Sequence, residues 1–481
     1  MSIDLKKNII NNQYILSASK ELLADEETPV SAFYKICHKK PYSFLLESVE
    51  GGEKIGRYSI IGTDPIFVFT NKNNKTYLEN KTENTTQELD NNPFTALKDL
   101  LSQLKIDNKE IENFIGFVGY FGYENIRWIE PKLKIDNYKE LPDACLILPG
   151  KLIVFDHILH KVNLIANVSS GNPENKLNSL LEDFQKPVLS KPLTLNYNQT
   201  NNTKYKSNYS KEKFIDLVNK AKKHIVEGNI FQVVLSQKLT LEKNYEGFSL
   251  YRALRSINPS PYLFYLNFND FELAGSSPEV MVKCEKLDKE RLASLRPIAG
   301  TYERGKNNEE DLKNIKDLLN DPKEKAEHLM LVDLARNDIG KVCKTNTVNV
   351  TELMTIEKYS HVLHMVSQVE GLLKDDKTAV DLLQACFPAG TLSGAPKVRA
   401  MEIINELENS TRGPYGGCAG FIGLNDTINT CMTIRTFVIF KDKIEIQAGA
   451  GIVADSNPEN EFQETLRKGA ALLKAVSLLE N

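Results

Sequence analysis

The sequence predicts a soluble, globular chain that mixes strands with helices in two lobes, and three observations predict it. At 481 residues the chain exceeds what one ordinary core fills. Its first half carries short runs of β-branched and aromatic residues, Phe67-Val68-Phe69 and Leu152-Ile153-Val154-Phe155, that read as strands. Past a polar stretch near residue 200 the pattern changes, and apolar residues recur at helical spacing (Phe214, Leu217, Val218, Ala221, Ile225).

Taken in order, residues 1–20 lack the apolar segment of a secretory leader, and no window approaches the roughly 18 apolar residues of a membrane span. The expected location is the cytoplasm. Residues 71–92, rich in Asn, Thr and Lys, read as a surface loop between strands, too polar to order itself. A second polar stretch sets the division: a first lobe over 1–190, a linker over 191–208 and a second lobe over 209–481. The second lobe opens with a helix over 211–227, stopped at Gly228, and a strand over 230–239.

Composition limits the partners. Apolar residues make up 41% and charged ones 26%, with a net charge of −4, so no basic field exists to hold nucleic acid or anionic lipid. Seven scattered cysteines show no metal-ligand or redox spacing and read as reduced, buried thiols. Small polar ligands and protein partners remain.

Two helical segments carry glutamates three residues apart, Glu324 with Glu327 and Glu461 with Glu464, each pair on one helix face. Alone, such a pair is an ordinary solvated face. If the two faces met, four carboxylates would converge, an arrangement suited to a hard cation such as magnesium. The apolar run after Glu327 ends in Arg336-Asn337-Asp338, which reads either as a hydrogen-bonded cap or as support for a site. Three glycine-bearing segments, 390–397, 413–417 and 449–451, read as turns whose backbone N–H groups can cradle a carboxylate, or as close strand packing. The first lacks the spacing of a phosphate loop, which excludes nucleotide binding on that ground. Arg435, in the strand-like run 430–435, would be costly to bury without an anionic partner.

Residues 327–338, 390–397 and 448–464 together resemble the chorismate-utilising enzyme family, and the likeness extends from about Tyr209 to Leu473. It implies an α+β fold: a composite core of two large, mainly antiparallel sheets packed face to face, with helices outside. It also implies a magnesium ion on Glu327 and Glu464, with Glu324 and Glu461 orienting its waters. Arg435, Tyr415 and Gly449-Ala450-Gly451 would take a substrate carboxylate. Glu279 would protonate the leaving oxygen, with His364 nearby and Thr391 and Gln232 completing the catalytic set. Gln232 stands where the family's water-activating branch has a lysine, and Ala299 where the aminodeoxychorismate-forming branch carries another. A neutral amide cannot activate water, and no amine is available for a covalent route. Both positions point to the ammonia-using, anthranilate-forming branch.

By the same resemblance, residues 45–48 and 258–263 form a feedback pocket for L-tryptophan, with Glu47, Ser48, Asn258, Pro261, Tyr262 and Leu263 as its contacts. The run Gly119 to Glu124 fits the family pattern and reads as packing. The chain shows no segment like the cysteine elbow of a glutaminase, so ammonia is expected from a separate glutamine amidotransferase subunit. Two alternatives remain at this stage: an aminodeoxychorismate-forming enzyme without the lysine, and a catalytically silent tryptophan-binding regulator.

Overall fold

The computed structural model describes residues 13–48, 56–136, 138–188, 192–197, 203–242, 244–358 and 362–479. Two long strands, Tyr58–Lys72 and Ala144–Asp156, pair along nearly their whole length and break register between Pro65 and Phe67. Pro65 has no N–H to give to a ladder, and Asp64 beside it sits at φ 51, so the ladder bends there. The bend carries it from one sheet into another.

On one side of the bend, the first sheet runs through Ser43–Glu47, Tyr262–Asn267, Glu272–Ser277, Thr436–Ile439, Lys443–Ile452 and Gln232–Glu242. On the other side, the second runs through Gly116–Phe121, Cys418–Gly423, Ile428–Met432, Val280–Leu287, Glu290–Leu295 and Val362–Leu372. All these pairings are antiparallel. The chain passes between the sheets again in two adjacent short connections, Pro278-Glu279 and Thr433 to Arg435.

The period-2 pattern of the first sheet serves two cores. Phe44, Phe264, Leu266 and Leu273 share one core with Tyr120 of the second sheet, whose ring packs on Phe268 and Phe271, while Phe121 on its other face stacks on Phe94 of the helix Pro93–Gln103. Their neighbours Leu45, Leu263, Tyr265 and Ala274 face outward onto Phe33, Leu180, Leu254 and Leu472 of four covering helices, Pro29–Ile36, Pro173–Gln185, Gly247–Ile257 and Pro458–Ser477. The α+β class is therefore observed as two facing, mainly antiparallel sheets with helices outside.

Strands from both sides of residues 191–208 share the first sheet. Of that stretch, residues 191 and 198–202 lie outside the described residues, while Lys206–Ser207 pairs with Leu239 and Thr240. The segment 71–92 corrects the expectation of an unordered loop. Lys75–Asn80 and Thr85–Glu88 form a hairpin on the long strand and bury Leu78. Polar groups pair within it: Asn71 donates through Nδ2 to Thr76 Oγ1 at 2.8 Å and to the Asn91 carbonyl at 3.1 Å. Ladder pairing and internal hydrogen bonds order a segment too polar to do so by burial alone. The helix Lys211–Val226 starts on a Ser210 cap and ends before Gly228, whose φ of 77 suits glycine. No helix among the described residues is long and apolar enough to cross a membrane.

Candidate active site

Glu279 and Arg435 occupy the two adjacent connections between the sheets. The Met432 N–H donates to the Glu279 carbonyl at 3.0 Å and the Ser276 N–H to the Arg435 carbonyl at 3.1 Å, which ties the connections to each other. Arg435 was expected within a strand. Instead the strand Ile428–Met432 ends before it, and Arg435 turns at φ 49 because the chain must leave one sheet for the other at that point. Burial lifts the Glu279 carboxyl to about 7, against the opposing pull of the Thr391 hydrogen bond and the nearby Lys468 and Arg435 cations. Thr391 Oγ1 donates to Glu279 Oε1 at 3.1 Å.

Gly449, Ala450 and Gly451 lie within the strand Lys443–Ile452, the close strand packing of the two readings and not the turn. One edge pairs with Val234, Leu235 and Ser236; the neighbour on the other edge pairs only up to Ile446, because its chain turns away at Arg435. That leaves an open strand edge beside a cation, a fitting place for a carboxylate. Bulk is excluded there: a Cβ on Gly449 would lie 2.6 Å from the Tyr415 hydroxyl, and one on Gly451 2.8 Å from Gln232 Nε2. Burial raises the Tyr415 phenol to about 12, so it stays a donor at neutral pH.

Two contributors escaped sequence reasoning. Lys468 donates to the Gly449 carbonyl at 3.1 Å and pairs with Glu464 at 3.2 Å, linking cradle to carboxylates. Its spacing of four from Glu464 was the available signal. Glu124, in the run read only as packing, is buried and accepts from the backbone N–H groups of Arg412 and Gly413 at 2.6 and 2.9 Å, which fixes the loop carrying Tyr415. Behind that loop Arg412 pairs with Glu408 at 2.7 Å, both buried, and its guanidinium lies 5.6 Å from the centre of the Tyr415 ring.

The carboxylate pairs begin two helices with the same start signal. Asp321 and Asn457 cap Pro322–Gly340 and Pro458–Ser477, each with proline first, which sets where Glu324, Glu327, Glu461 and Glu464 fall. Burial and then the Glu327 charge raise the Glu324 carboxyl; burial raises Glu461, with Glu464 adding to it. At Glu464 burial is outweighed by Lys468 and Arg467, which leave it below the usual range. Gln232 Nε2 donates to Glu327 Oε1 at 3.3 Å, while its buried Oε1 has no protein partner. Among the described residues no three acidic, His or Cys side chains form a ready-made cation cage. The donor chemistry nevertheless fits a hard cation, with oxygen ligands only and like charges pressed together within each pair. Asp338 pairs with Lys341 at 3.0 Å and Lys397 at 2.6 Å, so this part of the Arg336–Asp338 cluster ties helices together. His364 lies on Val362–Leu372 with Nδ1 2.9 Å from Thr301 Oγ1; burial, then Arg435, hold its imidazole neutral-leaning, below the ordinary value.

The two segments assigned to a tryptophan pocket are neighbouring strands, with Leu263 opposite Glu47. Ser48, Pro261 and Tyr262 line a cleft beside them. Glu47 is not a free carboxylate: the Tyr251 hydroxyl donates to it at 2.5 Å and Arg255 pairs with it at 2.9 Å. Asn258 donates to Ser276 Oγ at 3.0 Å, and Leu263 is sealed in the core under the helices.

The chain matches the family described as chorismate binding enzymes over residues 42–474. It is 46% identical to anthranilate synthase component 1 of Synechocystis sp., covering 96% of each chain, and 45% identical to that of Acetivibrio thermocellus, covering 99% of this chain and 98% of the other. The solved anthranilate synthase component I of Streptococcus pneumoniae superposes with a TM-score of 0.78 at 32% identity, over 94% of this chain and 99% of that one. With its two-sheet core and the site at the double connection, this chain belongs to the chorismate-binding enzyme family and acts on chorismate.

Proposed function

We propose that the enzyme is a lyase that converts chorismate and ammonia to anthranilate and pyruvate, the first committed step towards tryptophan. The observation that carries this is Glu279: a carboxyl poised at about 7, held by Thr391 between two cations, is a proton donor at neutral pH, while the neutral amide of Gln232 stands at the position of the water-activating lysine.

Ammonia adds at C2 of the ring as the C4 hydroxyl leaves, protonated by Glu279, as water. The aminated product then loses pyruvate and aromatises. Arg435, Tyr415 and the open edge at Gly449 to Gly451 hold the pyruvyl carboxylate. Gln232 cannot act as a base, and neutral ammonia needs none. Glu327 and Glu464 would hold magnesium, with Glu324 and Glu461 orienting its waters, and Glu464 would exchange Lys468 for the ion. Bound there, the ion supplies charge stabilisation for the ring carboxylate. His364 stabilises the site from the opposite strand.

A separate glutamine amidotransferase subunit supplies the ammonia in this reading, and L-tryptophan binds between Ser48 and Pro261-Tyr262 as feedback inhibitor. The named similarity to component 1 proteins supports a partner component. Because Glu47 is already held by Arg255, the ligand's ammonium would have to share or displace that cation. The decisive experiment incubates purified protein with chorismate, magnesium and ammonium salt. Anthranilate fluorescence supports the reading; aminodeoxychorismate as the product refutes it.

A further inference from the structure

A buried relay that no step above uses joins the helix Pro322–Gly340 to the second sheet. His328 is fully buried. Its Nδ1 lies 3.1 Å from the Ala299 carbonyl and therefore carries the proton, so Nε2 accepts from Ser367 Oγ at 2.6 Å. The same Ser367 oxygen accepts from the Met354 N–H at 2.9 Å.

These partners sit where the sheet is irregular. Val362–Leu372 is flanked by Ile298–Glu303 and Asn349–Lys358, and both flanking strands lose register next to Ser367, one between Ile298 and Thr301, opposite Val366 to His364, the other between Glu352 and Thr355, directly opposite Ser367. Met354 is left at φ 53, out of register with its neighbour strand, and the Ser367 hydroxyl satisfies its N–H. Bulges of this kind re-aim side chains and recur beside active sites. The bulge at Ala299 to Thr301 carries much of this site: Gly300 bonds His364 through its backbone, Thr301 Oγ1 contacts His364 Nδ1, and the Thr301 backbone bonds Glu324.

We propose that His328 is a positioning residue: clamped by Ala299 and Ser367, it fixes the bulge against the helix and sets the spacing between the Glu324–Glu327 pair and His364. The metal arm of the test rests on the magnesium reading above.

The experiment compares His328→Leu, His328→Asn and Ser367→Ala, accepting variants with wild-type circular dichroism and one cooperative urea transition. Magnesium binding is measured without substrate by titration calorimetry, and kcat and KM separately. His328→Leu should weaken magnesium ~10–100-fold, the range for losing a residue that orients a ligand. Its kcat should fall more than its chorismate KM changes. His328→Asn, whose amide can still donate to the Ala299 carbonyl, should recover part of the loss. A folded His328→Leu that matches wild type in both binding and kcat within about twofold overturns the proposal. If His328→Leu does not fold, Ser367→Ala, which keeps the imidazole, is judged by the same criteria. Wild-type protein that binds no magnesium refutes the metal reading alone. Amide hydrogen exchange at Gly300, Thr301 and Met354 then decides the clamp: faster exchange in Ser367→Ala supports it, and unchanged exchange overturns it.

Discussion

Raising the pH should titrate Glu279, and the structure fixes where and how far that limb can be moved. With the carboxyl at about 7, one unit higher leaves roughly one molecule in ten with the proton that the departing oxygen needs. In an ammonia-driven assay a second trend opposes this, because free ammonia rises about tenfold per pH unit while ammonium predominates. The rate at fixed, subsaturating total ammonium should therefore climb to about pH 7, stay level, and fall once ammonium is itself largely deprotonated. Dividing by free ammonia exposes the Glu279 limb directly. Thr391→Val deletes the hydrogen bond that holds this carboxyl down; a bond to a charged group is worth ~1.5 kcal/mol, or about one pH unit, so the limb should move up by about one unit. Glu279→Gln should give a low rate without the limb. The assay is initial anthranilate fluorescence at constant ionic strength. A limb that stays in place in Thr391→Val, or a Glu279→Gln enzyme with wild-type rate and profile, would refute the reasoning. Stability follows the same sign: with the folded value raised from 4.5 to about 7, Glu279 costs nothing below 4.5, and the fold loses stability as pH rises through that window.

Glu327→Gln or Glu464→Gln should abolish magnesium-dependent turnover while melting curves stay close to wild type, since one charge is lost without emptying core volume; a magnesium titration checks it. Arg412→Leu strands Glu408 as a buried unpaired carboxylate and should cost about 3–5 kcal/mol in urea denaturation, also loosening the loop that holds Tyr415. L-tryptophan should bind in calorimetry, and Ser48→Ala should weaken it by roughly 0.5–1.5 kcal/mol with the tryptophan-free chorismate curve nearly unchanged; no heat with wild type means no such pocket. Glutamine should support turnover only when a glutamine amidotransferase is added, whereas ammonium salt needs none; turnover with glutamine alone would contradict the two-subunit reading.

Local signals carried the parts of this site that depend on local geometry. Asp321-Pro322 and Asn457-Pro458 start two helices, and helical spacing then puts Glu324 beside Glu327 and Glu461 beside Glu464. What periodicity could not reveal was set by tertiary connections. Arg435 continues a strand-like pattern yet leaves the strand, because the sheet it would extend is not the one the chain enters next. The glycines at 449 and 451 left turn and close strand packing both open, and only the fold shows that they serve as side-chain-free backbone at a strand edge. The hairpin over 75–88 was hidden because its order comes from amide and hydroxyl pairs, which leave no hydrophobic period to count. Glu124 could be recognised only once the loop it holds, almost three hundred residues downstream, was in place.

The bent ladder and the interleaved first sheet also bear on how the chain is made. Ser43–Glu47 leaves the ribosome long before its partner Tyr262–Asn267, a gap of roughly two hundred residues that takes ~10–40 s at ordinary rates of synthesis. Gln232–Glu242 must likewise wait for Lys443–Ile452. Pairing at such separation is slow, and until it happens the early strands present bare edges to any other nascent chain. The order of synthesis thus leaves one strand of each pair waiting for another made about two hundred residues later. A product truncated before Tyr262 would carry the open edge of Ser43–Glu47 permanently, and should be recovered from cells as aggregate or in the grip of chaperones.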